Sequence, residues 1–205
     1  MFTSGHLPQA ACAFQVDGID DTMLRSLQSQ SLAAYPPRSK GRSRTGMLLL
    51  YGDPTANVAV APAVRWATEV WRSVGACGGP CCAVPQLKAM WESVSHVEGH
   101  TLWRNVRGPF GAARVCAARA GARFVSAFEL EVGDTIFSLA VNSPGRVQQL
   151  LSDAARRKRQ VAFSKSIGVD EGMCVDFAAV WKNVTKKAGL TNLERATSVT
   201  VAMES

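Results

Sequence analysis

The sequence predicts a mainly α protein, a multi-helix bundle with one small β-hairpin at about residues 127–141 packed against it. Three observations lead there. Apolar residues recur at helical spacing in stretch after stretch, the signature of amphipathic helices. Those stretches are bracketed by capping or proline starts and by glycine stops. Strict alternation, Phe128, Leu130 and Val132 against Glu129 and Glu131, occurs just ahead of the turn-forming pair Gly133-Asp134.

Taken in order, residues 1–18 carry Gly and Pro without a period and read as a loose lead-in, followed by a single helical domain over 19–205. A helix opens at Asp20 or Asp21, either of which can cap it, with Met23, Leu24 and Leu27 on one face, and it ends before Pro36-Pro37. Arg38–Arg44 (RSKGRSR) is a basic, Ser/Gly-rich linker. Thr45–Tyr51 is a short buried element that periodicity cannot assign to helix or strand. Pro62 suits the first turn of the next helix, whose inward stripe is Val64, Ala67, Val70, Trp71 and Val74, with Trp66 on an adjoining face and Gly75 as the stop.

After the turn-rich CGGPCC, Leu87, Met90, Trp91 and Val94 trace a further helix. Phe110–Arg119 is a small-residue helix with Gly121 as a left-handed stop, its alanines permitting a close neighbour. Ala127–Val132 and Thr135–Val141 are the two strands of the hairpin, which needs helices beneath it to be stable. Ser143-Pro144 caps and opens a helix with Val147, Leu150, Leu151 and Ala154 inward and Arg156–Arg159 at its far end, where cations complement the dipole. Phe177, Val180, Trp181 and Val184 form the core face of a helix stopped at Gly189. Thr191–Glu194 is a capping box, and the helix it opens breaks off at Ser205, as expected of a chain truncated at its C-terminus.

A net charge of +7 and a pI near 9.4 favour an anionic partner, nucleic acid foremost. The six cysteines follow no disulfide-scaffold spacing, and Cys116 and Cys174 sit in apolar helical contexts as small hydrophobes. The start of the chain lacks the charged region and long apolar core of a signal peptide, and the longest apolar run, Met47–Tyr51, is far short of a membrane span. The expectation is a reduced, soluble, intracellular protein, nuclear or cytoplasmic, without membrane contact.

No constellation carries catalysis. The carboxylates are dispersed, no Gly-rich phosphate loop of the usual spacing occurs, and no cysteine has the local signature of a nucleophile. Cys77-x4-Cys82-x13-His96-x3-His100 approaches the spacing in which two thiolates and two imidazoles close a tetrahedron around zinc, the one cofactor that the sequence suggests. Against it, Gly99 weakens the helical turn that should carry both histidines, and the residues read equally well as a surface loop with two exposed His. The best candidate nucleic-acid surface is the basic helix after Ser143: Arg146, Arg156, Arg157, Lys158 and Arg159, with Lys165 beyond, extended by Lys182, Lys186 and Lys187 if the next helix packs alongside. Its plain alternative is a solvated helix end.

The order of several stretches carries a resemblance. PPRSKGRSRTGMLLLYGDPTANVAVAPAVRWATEVW, WRNVRGPFGAARVCAARAGARFVSAFELEVGD, SPGRVQQLLSDAARRKRQ and GLTNLERATSVTV resemble the region after the polymerase core of retrotransposon-type (non-LTR, LINE-like) reverse transcriptase polyproteins of unicellular eukaryotes. The likeness runs from about Leu24 to the C-terminus. Its most specific words are Asp53-Pro54-Thr55 followed by RWATEVW, and Trp103–Ala112. It implies a helical thumb or connection segment that helps to hold template and primer. The polymerase aspartate pair is absent from this sequence, so the implied function is a non-catalytic, nucleic-acid-binding fragment. The alternatives are a helical protein-interaction module, suggested by the excess of tryptophan on helical faces, and a small zinc module.

Overall fold

The computed structural model describes residues 14–33, 43–75, 82–96, 103, 106 and 108–166. It is mainly helical, with one small antiparallel sheet. In chain order the elements are α1 (Asp21–Leu32), α2 (Arg44–Tyr51), α3 (Ala56–Val74), α4 (Val84–Ser95), α5 (Gly108–Ala120), β1 (Ala122–Ser126), β2 (Glu129–Val132), β3 (Thr135–Ser138) and α6 (Pro144–Ser166). They fall into two compact units. One takes the chain up to Leu24 and Thr55–Ala155; the other takes Arg25–Pro54 and the chain from Arg156.

The first unit is built around α5, GPFGAARVCAARA. Phe110, Gly111, Ala112, Ala113, Val115, Cys116, Ala117 and Ala120 are all buried, so the helix is covered on nearly every side. Side chains this small let α3 lie close against it, and α3 turns Val60, Ala63, Trp66, Ala67 and Val70 into the same cluster. Phe110 centres an aromatic group. Its ring centroid lies 4.3 Å from Trp66, 5.4 Å from Trp91 of α4 and 5.3 Å from Phe124 of β1, the separations at which tilted rings attract. Trp66 buries an indole N–H as well, and satisfies it by donating to the Ala127 carbonyl at 2.9 Å.

The sheet has the order β1-β2-β3 with neighbours antiparallel. Ala122, Phe124, Leu130 and Val132 face the core; Arg123, Glu129 and Ile136 face outward. Across the outer face Arg123 sits opposite Glu131 and donates Nε and Nη2 to Oε2 at 2.8 and 2.6 Å. Val132 pairs with Thr135, which leaves Gly133-Asp134 as a two-residue turn. Gly133 has φ +62 and Asp134 a negative φ, as in the type II′ hairpin with Gly first. At the far end of β3 the Ser138 carbonyl accepts from the backbone N–H and the side-chain amide of Asn142, at 3.0 and 2.8 Å. That occupies part of an otherwise open sheet edge.

Several expectations change in detail. The sheet has three strands, with β1 preceding the anticipated pair, and Phe128 falls in the turn ahead of β2. Thr45–Tyr51 is helix, capped by Ser43, whose Oγ accepts from the Gly46 N–H at 3.2 Å. Pro62 is inside α3, well past its first turn, because Val58, Ala59 and Val60 bury upstream and packing outweighs the lost backbone donor. The inward face of α3 consequently includes Trp66, while Val74 is exposed and Val64 and Trp71 are half-buried. The helix after Ser143 runs on to Ser166, so Arg156–Arg159 lie in its interior and not at its C-terminal end. The expected helices around Phe177 and Thr191 lie outside the described residues.

The opening of α1 follows the sequence closely. Asp20 Oδ1 accepts from the Met23 N–H at 2.8 Å, the capping bond of an N-terminal Asp. Just before it, Gly18 has φ +72, and a Cβ there would collide with the Trp103 ring. Gly18→Ala should therefore lower unfolding free energy by about 1–3 kcal/mol, from the left-handed backbone and the overlap together. Urea titration checks this, and an unchanged midpoint would contradict the packing of Trp103 over residue 18.

Candidate nucleic-acid interface

The geometry of the basic stretch follows from where α6 is anchored. Ser143 caps it, Oγ accepting from the Arg146 N–H at 3.4 Å, and Pro144 takes the first helical position, where no backbone donor is needed. In the first unit α6 buries Val147, Leu150, Leu151 and Ala154, the face that the sequence spacing indicates. In the second unit the buried residues of α6 are Phe163 and Ser164. Among the described residues of that unit, the other buried apolar side chains are Leu32 of α1 and Met47, Leu48, Leu49 and Leu50 of α2.

The six predicted phosphate-contacting cations are thereby sorted. Arg156, Arg157 and Lys158 are exposed in succession, and Lys165 is exposed further along the same helix. Lys158 and Lys165 also take part in contacts within the protein. Arg146 is exposed too, but it stands in the first turn of α6, in the first unit. Arg159 turns inward. Its Nη2 donates to Oδ2 of Asp53, whose side chain is only 3% exposed, and the same oxygen accepts from Gln28 Nε2 at 3.2 Å. The single carboxylate within α6 is Asp153, so the helix is strongly cationic along its exposed length. Sequence reasoning did not connect Asp53 with Arg159. The only local signal was a basic run longer than a helix end requires.

The residues proposed for zinc are only half described. Cys82 is half-buried, with its carbonyl accepting from Ser73 Oγ, and His96 is exposed just after α4, its Nδ1 3.2 Å from the Glu92 carbonyl. Cys77 and His100 lie outside the described residues. Among the described residues no three His, Cys, Asp or Glu stand close enough together to hold a metal ion. Among them, too, no helix is long and apolar enough to cross a membrane.

Two further features belong to the first unit. A groove of about 250 Å³ opens among Val16, Pro62, Trp66, Leu87, Met90 and Pro109. On its wall Arg65 Nη2 pairs with Glu69 Oε1 at 2.7 Å. Arg119 joins α5 to the start of α1, donating Nη2 to the Ile19 carbonyl and to Asp21 Oδ1, both at 2.9 Å, with its guanidinium 5.6 Å from the Trp103 ring centroid. No family model, curated protein or solved structure matches the chain.

Cys116, on α5, is wholly buried, and burial pushes its thiol up to about 11, the nearby Arg119 opposing and Asp21 adding to the shift. The thiolate is the reactive form, so at pH 8 this cysteine should resist alkylation in the native protein and react only after denaturation. Peptide mapping by mass spectrometry reads this out; native labelling of Cys116 would contradict the packing of α5.

Proposed function

We propose that this chain binds nucleic-acid backbone through the exposed basic positions of α6, without sequence readout. The observation that carries the reading is the exposed succession Arg156, Arg157 and Lys158, with Lys165 on the same helix and one carboxylate, Asp153, in the helix as a whole. Helix-borne cations at this density attract phosphates by charge and by counterion release, which supply affinity without distinguishing bases. The net charge of +7 adds long-range attraction. In this reading the chain is a non-catalytic segment related to the region after the polymerase core of non-LTR retrotransposon reverse transcriptases, and it carries no catalytic residue of its own. The parentage is supported by the sequence likeness alone, and an in-frame polymerase core in the neighbouring coding sequence is the test of it.

A second reading, a helical protein-interaction module, is favoured by the apolar groove beside Val16 and Met90, side chains that are 47% and 38% exposed. The two readings separate on salt. Phosphate binding through four cations gives log Kobs against log salt a slope of about −3 to −4 on a short duplex. Replacing Arg156, Arg157, Lys158 and Lys165 together by Ala should remove most of that slope, and single replacements should each lower it by about one. Fluorescence anisotropy at several salt concentrations measures it. No binding at low salt, or a slope that ignores the fourfold variant, would end the phosphate reading.

A further inference from the structure

Arg159 belongs to the basic run in sequence yet is spent on Asp53, and the geometry points to a distinct part for this pair. We infer that Asp53 and Arg159 are positioning residues: their ion pair, shared with Gln28, holds the second half of α6 in the rotation that turns Arg157, Lys158 and Lys165 outward. The inference rests on the phosphate-binding reading and assigns these two residues a role in it.

The argument is one of helical phase. Successive residues of an α-helix are about 100° apart, so fixing one of four consecutive side chains fixes the directions of the rest. With Arg159 held inward, Arg156 lies about 60° round, Lys158 about 100° and Arg157 about 160°, the last nearly opposite the tether. The exposures of Arg157 and Lys158 agree with this, against 24% for the Arg159 side chain; Arg156, on the tether's flank, is exposed as well. Lys165 lies about 120° from the tether, again on the open side. The Asp53 carboxylate suits an anchor. It is nearly sealed from water, it stands in the Gly52–Thr55 link after α2, and it collects a donor from α1 as well as one from α6. Apolar contacts fix phase less sharply in this half of α6, where Phe163 is the one buried large side chain.

Two substitutions with opposite charge separate positioning from simple electrostatics. Asp53→Ala removes a negative charge and, by charge alone, should strengthen polyanion binding; Arg159→Ala removes a positive charge and should weaken it. Positioning predicts that both weaken binding to the short duplex, each by about three- to tenfold, that the double variant is no worse than either alone, and that the salt slope stays at its wild-type value. It also predicts partial recovery in the exchanged variant carrying Asp53→Arg with Arg159→Asp, which restores the pair at unchanged net charge. Where Asp53→Ala does not fold, Asp53→Asn serves, since it keeps the shape and the hydrogen-bonding oxygen and loses only the charge. Tighter binding by either Asp53 variant would overturn the inference. So would a slope lowered by about one in Arg159→Ala, which would make Arg159 a direct phosphate contact. Wild-type protein that binds no duplex at low salt fails the underlying reading, a result distinct from either of these.

Discussion

The first unit depends on how closely two helices can approach. α5 has no solvent-facing side to speak of, and a helix in that position cannot carry bulk on every face without forcing its neighbours apart. Alanine and glycine resolve the conflict. They contribute little burial energy individually, but they bring the backbone of α5 near α3, and many weak dispersion contacts accumulate over that seam. The remaining volume is filled by α5's own Phe110 and, from neighbouring elements, by Trp66, Trp91 and Phe124, large rings that mesh at one end of the small-residue surface. Even the polar cost of a buried indole is met locally, by the Ala127 carbonyl at the sheet. The sheet is thus both a lid on the aromatic cluster and the acceptor that lets a tryptophan stand within it.

The second unit is stabilised differently. Among its described residues the buried apolar side chains come in one run, Met47–Leu50, with Leu32 and Phe163 from other helices, and beside them stand the buried polar groups of Gln28 and Ser31. A carboxylate as enclosed as Asp53 is costly to desolvate and is tolerated because a guanidinium and an amide both reach it. Such pairs add little net stability against an apolar replacement, but they are directional, and in some proteins that directionality specifies a register. A helix with only one large buried side chain in this region has use for that specificity.

Much of this was legible in the sequence, and the omissions have physical causes. Caps and stops are local hydrogen-bonding devices, so Asp20, Ser143, Gly75 and Gly121 could be placed from sequence alone. The Gly133-Asp134 turn was equally legible, because a positive φ has few residue types to choose from. β1 was not. Its inward residues are Ala122 and Phe124 and its outward ones Arg123 and Val125, a weak alternation that ends at a register shift. Met47–Leu50 was ambiguous because an element buried on all sides has no polar face to reveal a period. Pro62 misled because proline is read as a starting signal, whereas tertiary burial of Val58–Val60 carried the helix upstream of it. At the candidate interface the cations could be named from sequence. That Arg159 alone of the run turns inward, to Asp53 more than a hundred positions away, no local pattern records.

The change in the end of α6 also alters what its charges mean. At a helix terminus four cations need no ligand, because the unsatisfied carbonyls and the macrodipole welcome them. In the interior that benefit is gone: every carbonyl of Arg156–Arg159 lies within the helix, and the last turn is served by Lys165 instead. Mutual repulsion among them, modest for each pair, then goes uncompensated by the backbone. Asp53 relieves it for one of the four. Arg156 and Arg157 stand exposed beside Arg159, and Lys158, exposed as well, has contacts of its own within the protein. Under the phosphate-binding reading proposed above, such an exposed run inside a helix would gain from a polyanion the compensation that a helix end already has from its own carbonyls.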